Sequence, residues 1–352
     1  MPKQPPYRMP AEWERHRATW IAWPHEESDW PEKIPAVEWV YAEIARLLSL
    51  GEMVEILCDN LDVRSRAEYC LKKHHVSPER YRLHHIRNDR GWLRDSAPTC
   101  IRDSRGGLLW ICWHFNAWAR YDNFSADTAV ARSIAEVSGL PFAHAIRPDT
   151  AQPLVLEGGA IETDGEGTLL VTEECLLSPV QERNPGLKRE QYEEAFRSYL
   201  GIEKTIWLSG SVEGDDTHGH IDDVARFVGP GKIALAYETD SKKDNGATAG
   251  RNLERLQQDV DARGRKLEIV LLPMPREVYC GAERLPASYA NFYISNAAVI
   301  VPTFNDEHDR KALEVLAACF PGRKVIGLHA VDLILGQGAV HCLTQQEYER
   351  GS

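Results

Sequence analysis

The chain has 352 residues, 43% of them hydrophobic, and a formal net charge of −12 from 53 acidic against 41 basic residues. No apolar run approaches the roughly 20 residues that a bilayer crossing needs, so a globular, soluble protein is expected. The acidic balance is unfavourable for nonspecific binding to nucleic acid, and it would tolerate a cationic substrate, although solubility alone also explains it. The charged, proline-rich opening lacks the apolar stretch of a signal peptide, which predicts a cytoplasmic location.

Eight cysteines are scattered along the chain without a CxxC pair. Small disulfide-stapled secreted domains show a much denser spacing, so free thiols are predicted. Cysteine in an apolar string behaves as a small buried hydrophobe. Four of the eight lie in such strings and are predicted to be inert: Cys58, Cys112, Cys175 and Cys319.

In chain order, apolar residues at helical spacing predict an amphipathic helix over 34–50, with Gly51 as its C-terminal cap. The strand MVEILC, a helix near 62–73 and the strand YRLHHI follow. Further helices are predicted near 188–200, 249–263 and 309–319, and further strands at LLWICW, PLVLEGG, GTLLVTE, KTIWL, VARFV, KIALAY, LEIVLL and FYISNAAVIVP. This alternation indicates an α/β class. No linker or internal repeat is evident, so residues 1–352 are predicted to form one domain.

Two segments in the first half place polar residues beside glycines or at strand ends. NDRGWLRDSAP contains Trp92, Arg94 and Asp95, and VLEGGAIE places Glu157 at the end of an apolar run before two glycines. Glycine allows another backbone or a ligand to come close. Each segment also has an ordinary explanation, because Arg94 and Asp95 can simply form ion pairs and a strand-end glutamate is often only structural.

A third segment, EGDDTHGHIDD, places His218, His220 and Asp222 at every second residue. An extended strand would project all three from one face. Such a set can supply a general base with an orienting carboxylate, or it can bind a divalent metal. The metallo-β-lactamase pattern has a histidine after the aspartate, whereas Asp223 follows here, which disfavours the metal hypothesis.

The fourth segment, GQGAVHCLTQQ, presents Cys342 after a glycine-bearing turn and next to His341. A cysteine on a turn whose neighbours hold it as thiolate is a plausible nucleophile. A packed, unreactive thiol is the ordinary alternative.

At these segments the sequence resembles the agmatine deiminase family, which belongs to the guanidine-modifying superfamily with the peptidylarginine and arginine deiminases. The matching segments run in order along nearly the whole chain: MPAEWERHRATWIAWP, NDRGWLRDSAP, LEGGAIE, EGDDTHGHIDDVARFV, LPASYANFYISNAAVIVPTF and GQGAVHCLTQQ. Several long motifs in the right order are more specific than any single short motif.

The resemblance implies a fold that the sequence pattern alone does not show, a five-bladed, pseudo-symmetric α/β propeller of ββαβ units around a central site. It makes Cys342 the nucleophile and His220 the general acid/base. The residues that it implies for binding the guanidinium are Trp92, Asp95, Glu157 and Asp222. The implied reaction needs no metal or organic cofactor, and the implied partners are a small cationic guanidine and a second copy of the chain in a homodimer.

The departures from the family pattern affect which substrate is expected, and not the chemistry. Many agmatine deiminases read GGGNIHC where this chain reads GQGAVHC, so Gln337 and Ala339 alter the turn beside the nucleophile. Ala119 and Arg120 stand where a Gly-Gly pair is common. Agmatine suits an acidic protein without an evident extra arginine, and peptidyl-arginine is the alternative substrate. A metallo-hydrolase using His218, His220 and Asp222, and a noncatalytic binder of cationic ligands, are the hypotheses from other classes.

Overall fold

The computed structural model describes residues 7–351, apart from the side chain of Asp244. The proline-rich start of the chain, residues 1–6, and Ser352 lie outside the described residues. The strands are β1 (Tyr7–Arg8), β2 (His16–Ala22), β3 (Met53–Cys58), β4 (Tyr81–His85), β5 (Thr99–Asp103), β6 (Leu108–Cys112), β7 (Phe142–His144), β8 (Glu162–Thr163), β9 (Thr168–Thr172), β10 (Lys204–Leu208), β11 (Ala225–Gly229), β12 (Lys232–Tyr237), β13 (Glu268–Pro273), β14 (Val278–Cys280), β15 (Glu283–Leu285), β16 (Tyr293–Ile294), β17 (Ala298–Thr303), β18 (Lys324–His329) and β19 (Gln345–Tyr348). The α-helices are α1 (Ile34–Leu48), α2 (Leu61–Lys73), α3 (Leu93–Ser96), α4 (Val130–Ser138), α5 (Glu173–Leu177), α6 (Arg189–Ala195), α7 (Asp244–Gln258), α8 (Asp309–Cys319) and α9 (Val340–Leu343).

Five sheets share one connectivity: an antiparallel pair of strands, then one or two helices, then a strand parallel to the second. These five units are β5-β6-α4-β7, β8-β9-α5-α6-β10, β11-β12-α7-β13, β16-β17-α8-β18 and β19-β2-α1-β3. Strand β1 adds to β5, β4 adds to β3, and β14 pairs with β15 in a separate hairpin. The α/β class is therefore confirmed, and an internal repeat exists that the sequence did not reveal.

The last strand completes the sheet that the first long strand begins. β19 pairs antiparallel with β2, with Gln345 opposite Trp20. Glu347 accepts a hydrogen bond from the Trp20 indole at 3.0 Å and pairs with Arg17. One unit is thus assembled from both ends of the described chain.

Helix α1 shows why the helical spacing was informative. Pro35 fits its first turn, where the backbone N–H has no helical partner. Its buried face, with Val37 and Ile44, packs against β3 of its own unit and against β17 and β18 of another. The predicted cap at Gly51 is wrong, because Ser49 caps the helix. A Cβ at Gly51 would lie 2.8 Å from the backbone nitrogen of Ala297, so glycine is required there by close packing.

Two predicted strands are turns instead. PLVLEGG forms isolated bridges at Pro153 and Val155, followed by a 3-10 turn over Gly158–Ala160. In EGDDTHGHIDD, His218 and Gly219 both adopt left-handed backbone conformations, with φ of 64° and 107°, which interrupt an extended chain. A 3-10 turn over Ile221–Asp223 follows, so the predicted alternation of side chains along a strand is wrong.

Each unit is entered through a short turn that lies just before its first strand. We call these segments the entry turns: α3 before β5, residues 157–160 with the 3-10 turn Gly158–Ala160 before β8, Ile221–Asp223 before β11, residues 288–291 before β16, and α9 before β19. The first three of these turns contact one another in sequence order, and α3 also contacts α9. No helix within residues 7–351 combines the length and the apolar character that a membrane crossing requires.

Candidate active site

A cavity of about 590 Å³ opens beside two of the entry turns, α3 and α9. Its outer lining includes the exposed residues Lys33, Cys280 and Glu283, and its inner lining includes the buried side chains of Asp95 and Cys342. The cavity therefore connects solvent with the thiol that the sequence predicted as a nucleophile.

Cys342 lies in α9 and is 6% exposed. Asn291, in the neighbouring entry turn, donates a hydrogen bond from Nδ2 to Sγ at 3.0 Å, and Sγ lies 3.7 Å from Asp222 Oδ2. Burial raises the pKa of the Cys342 thiol well above its usual value, and the carboxylates of Asp222, Asp223 and Asp95 raise it further, against the opposing effect of Asn291. The thiol therefore keeps its proton at neutral pH.

His220 is fully buried between two carboxylates. Its Nδ1 lies 3.8 Å from Asp95 Oδ2 and its Nε2 lies 3.9 Å from Glu157 Oε2. Burial disfavours the imidazolium, but Asp95 and Glu157 outweigh it and raise the pKa of His220 to about 10. Neither ring nitrogen has a hydrogen-bond partner among the described residues, so both are free to act on a ligand.

Asp95 and Glu157 are held in different ways. The carboxylate of Asp95 accepts hydrogen bonds from the Gly159 backbone at 3.0 Å and from the Trp118 indole at 2.9 Å, while burial raises its pKa to about 6. Glu157 Oε1 accepts from Arg183 Nε at 3.0 Å. Burial would raise the pKa of Glu157, but the Arg183 guanidinium and His220 lower it to about 2. Its Oε2 has no partner within the described chain.

Asp222 is held through one oxygen. Its Oδ2 lies 2.6 Å from His341 Nδ1, while Oδ1 is buried and unpaired among residues 7–351. Burial works against ionisation, yet the hydrogen bond from His341 and its charge lower the pKa of Asp222. Asp222 is therefore a charged carboxylate whose Oδ2 lies beside Cys342 Sγ and whose Oδ1 has no partner among residues 7–351.

Glycines let these parts approach closely. A Cβ at Gly159 would lie 2.5 Å from His220 Nδ1 and 2.9 Å from Asp95 Oδ1. A Cβ at Gly338 would lie 2.7 Å from the ring of Trp92, which lines the cavity and donates to Asp29 at 3.0 Å. The glycines that the sequence singled out are thus required by packing around the site.

The structure brings together five of the residues that the sequence analysis predicted for catalysis, namely Asp95, Glu157, His220, Asp222 and Cys342. His218 is not with them, because its Nε2 points to Ser178 at 3.1 Å and to Glu174 at 3.3 Å. In the described chain, the set of metal-ligand atoms that lie within 4.8 Å of one another belongs to Glu157, Cys175 and His220. The hypothesis of a metal site made by His218, His220 and Asp222 is therefore wrong in its geometry.

Several residues of the site were not predicted. Asn291 donates to Cys342 and Arg183 donates to Glu157. Asp215 holds the loop before His220 by accepting hydrogen bonds from the backbone of Gly219 at 2.7 Å and His220 at 3.2 Å. Asn291 lies in LPASYANFYISN, so the motif match was a signal for it, although no role followed from it. Trp118 owes its position to left-handed backbone at Ala117–Ala119, a conformation that glycine adopts without strain.

Comparisons with known proteins agree with this geometry. A protein of Marinomonas sp. (strain MWYL1), provisionally named an agmatine deiminase, is 37% identical over 100% of this chain and 97% of its own length. The structure of the Enterococcus faecalis agmatine deiminase catalysing its reaction matches with a TM-score of 0.89 at 32% identity, covering 99% of this chain and 98% of that one. The C. jejuni agmatine deiminase with substrate bound matches with a TM-score of 0.86 at 26% identity, covering 98% and 97%.

A family model described as Porphyromonas-type peptidyl-arginine deiminase matches residues 8–347. That range contains all five entry turns and the whole set of buried acids, histidine and thiol. The chain therefore belongs to the Porphyromonas-type peptidyl-arginine deiminase family.

Proposed function

We propose that this protein is a hydrolase that deiminates agmatine, giving N-carbamoylputrescine and ammonia. The observation that carries the proposal is a set of buried polar atoms without a hydrogen-bond partner among residues 7–351: Asp222 Oδ1, Glu157 Oε2 and both ring nitrogens of His220. Buried polar atoms without partners are costly, and a ligand that pairs with them explains why they persist. A guanidinium is a planar cation with N–H donors directed to several sides, which matches carboxylates in such an arrangement.

The substrate's charge activates the nucleophile. Burial and the surrounding carboxylates raise the pKa of Cys342. A unit positive charge about 4 Å away, at an effective dielectric constant of about 20, contributes roughly 4 kcal/mol, or about three pKa units, toward the thiolate. The guanidinium therefore both binds the acids and lowers the pKa of the thiol that attacks it.

The reaction then proceeds in two halves. The Cys342 thiol gives its proton to water, and the thiolate forms a bond to the guanidinium carbon. His220 as imidazolium gives its proton to one nitrogen, and the bond from carbon to that nitrogen breaks to release ammonia. The neutral His220 next takes a proton from water, whose oxygen attacks the same carbon. The C–S bond breaks with its electrons returning to sulfur, the new hydroxyl group gives its proton to that thiolate, and the neutral ureido product leaves.

The outer cavity favours a substrate with a distal cation. Asp216 lines it and accepts a hydrogen bond from Tyr121 at 2.6 Å, whereas Asp29, which also lines it, pairs with Arg90. Agmatine carries a distal ammonium and no carboxylate, and the agmatine deiminases among the similar proteins support it. Peptidyl-arginine is the second candidate, supported by the description of the family model.

Ammonia release from the purified protein tests the proposal. We expect turnover with agmatine well above that with arginine or arginyl peptides, and none for Cys342→Ser, because a serine hydroxyl is a far weaker nucleophile than a thiolate. Cys280→Ser is the matched control, since Cys280 lines the same cavity but is exposed at its outer end. Substantial activity in Cys342→Ser, or activity that follows bound metal, would contradict the mechanism.

We further infer that the five units surround a common axis as a five-bladed propeller within a single catalytic domain. Equivalent entry turns contribute one site residue each: Asp95, Glu157, Asp222, Asn291 and Cys342. Five repeated units direct the same point of their connectivity at one site when they are arranged around it. Small-angle scattering of the protein would test this compact arrangement against an extended row of units.

A further inference from the structure

His341 has no role in the mechanism above, yet it is as buried as the catalytic residues. Its Nδ1 lies 2.6 Å from Asp222 Oδ2 and its Nε2 lies 2.8 Å from Glu12 Oε2. A ring that carries hydrogen on both nitrogens donates to both carboxylates. Glu12, His341 and Asp222 thus form a continuous buried chain of hydrogen bonds that ends beside Cys342.

Glu12 is fixed by further donors. Its Oε1 accepts from Arg226 Nη2 at 2.8 Å and from the backbone of Ile294 at 2.8 Å, and its Oε2 also lies 3.4 Å from Arg94 Nη2. Burial would raise the pKa of Glu12, but Arg226, His341 and Arg94 lower it well below its usual range. The carboxylate therefore stays charged and immobile, and His341 is held against it.

We propose that Glu12 and His341 are positioning residues that hold Asp222 by one oxygen, so that its other oxygen faces the substrate guanidinium as a charged acceptor. The contacts of Asp222 support this arrangement: Oδ2 is occupied by His341, while Oδ1 is unpaired in the described chain. Without the imidazole, the carboxylate could rotate about its terminal torsion and share its charge between orientations. The inference rests on the proposed deimination, because it assigns a cation to Asp222 Oδ1.

The competing explanation is that Glu12 only stabilises the fold by pairing with Arg226. Glu162 provides a matched control for that role. It is likewise buried, and it accepts hydrogen bonds from Arg226 Nε at 3.0 Å and from the backbone of Phe227 at 2.9 Å. Within residues 7–351 it makes no hydrogen bond to His341. Glu162→Gln therefore removes a buried charge from the same arginine without touching the path to Asp222.

The test compares two ligands that differ only at the reacting end. In a Cys342→Ser background, calorimetric titration measures the dissociation constants of agmatine, which is cationic at that end, and of N-carbamoylputrescine, which is neutral there. We expect Glu12→Gln and His341→Gln to weaken agmatine binding about 10- to 100-fold, the range for losing a hydrogen bond to a charged group. N-carbamoylputrescine and the Glu162→Gln control should change by less than about 3-fold.

The outcomes separate this inference from the function on which it rests. If the Cys342→Ser protein binds neither ligand, the deimination proposal falls and this inference falls with it. If it binds agmatine but Glu12→Gln weakens both ligands alike, or Glu162→Gln has the same selective effect, the positioning role is wrong. Circular dichroism checks the fold of each variant. If Glu12→Gln does not fold, His341→Gln decides alone, because it leaves Glu12 paired with Arg226 and Arg94.

Discussion

Of the two histidines in EGDDTHGHIDD, only His220 faces the carboxylates of the site. His220→Asn removes the proton donor and acceptor, and the expected loss of ammonia release is about 10²- to 10⁴-fold. His218 instead lies 3.1 Å from Ser178 Oγ and 3.3 Å from Glu174, so His218→Asn should change turnover only modestly. Steady-state kinetics with agmatine decides between them. A dead His218 variant beside an active His220 variant would reverse the assignment.

The charge on Asp222 has opposite effects on binding and on thiol reactivity. Asp222→Asn removes a carboxylate that raises the pKa of Cys342, so the thiol of the variant ionises at lower pH. The rate of inactivation by iodoacetamide, a neutral alkylating agent, rises with pH in both proteins. We expect the variant's curve to lie at lower pH, which makes alkylation faster at a given pH.

Ammonia release from the same Asp222→Asn protein should fall, because the amide turns an acceptor of guanidinium N–H groups partly into a donor. Cys280→Ser is the background for both measurements, so that the exposed thiol does not consume the reagent. Slower alkylation of the Asp222 variant than of its parent would show that the carboxylate does not govern the thiol.

Among the entry turns, Gly158–Ala160 sets how closely Asp95 and His220 approach. Because a Cβ at Gly159 would lie 2.5 Å from His220 Nδ1, Gly159→Ala should displace that ring and reduce kcat/KM about 100-fold. Gly250→Ala is the control, since Gly250 lies within α7 with nothing near its added Cβ. Alanine there should raise the free energy of unfolding by roughly 0.5–1 kcal/mol and leave kcat/KM unchanged. Equal activity in both variants would contradict the packing argument.

The sequence predicted long elements better than the turns that carry the chemistry. The strand at 53–58 and the helix at 309–319 were predicted correctly because apolar periodicity records which face is buried. The turns at 158–160 and 221–223 lie in segments that the sequence suggested were extended. Their conformations depend on contacts with distant residues, which a local pattern does not show. Gly158 shows this: a Cβ there would lie 2.2 Å from the backbone oxygen of Arg94.

The candidate site residues were predicted from motifs, whereas the residues that hold them in place were not predicted. Asp95, Glu157, His220 and Cys342 each lie in a motif with an unusual run of polar residues and glycines. Asn291 contacts Cys342, and Glu12 contacts His341. The two members of each pair are far apart in the sequence, so no local pattern connects them. Long-range hydrogen bonds of this kind follow from the assembled fold.

At the scale of the whole molecule, the repeat lies in connectivity and not in residue identity. The five entry turns contribute an aspartate, a glutamate, a second aspartate, an asparagine and a cysteine at equivalent points of their units. The helical segment between the second and third strands varies in length, from the short helices α5 and α6 in one unit to the longer α1 and α7 in two others. Residue identities show no period in such a chain, which is why no repeat was evident from the sequence.

The pairing of β19 with β2 makes the folded state depend on the last strand. A chain that ends at Leu343 keeps Cys342 but lacks β19, so β2 loses its antiparallel partner and Trp20 loses its bond to Glu347. We expect this chain to lose both cooperative thermal unfolding and ammonia release, whereas a chain that ends at Arg350 keeps both. Calorimetry and the ammonia assay check the pair. A soluble, active protein ending at Leu343 would show that the pairing is dispensable.

The position of β19 also determines the order in which the units can form during synthesis on the ribosome. The strand that completes the sheet of β2 and β3 leaves the exit tunnel after all the other described strands, and Cys342 directly precedes it. Four complete units can form while Cys342 is still inside the tunnel. The carboxylates and the thiol therefore meet only when the last unit closes, so a nascent chain that stalls earlier has no assembled catalytic centre.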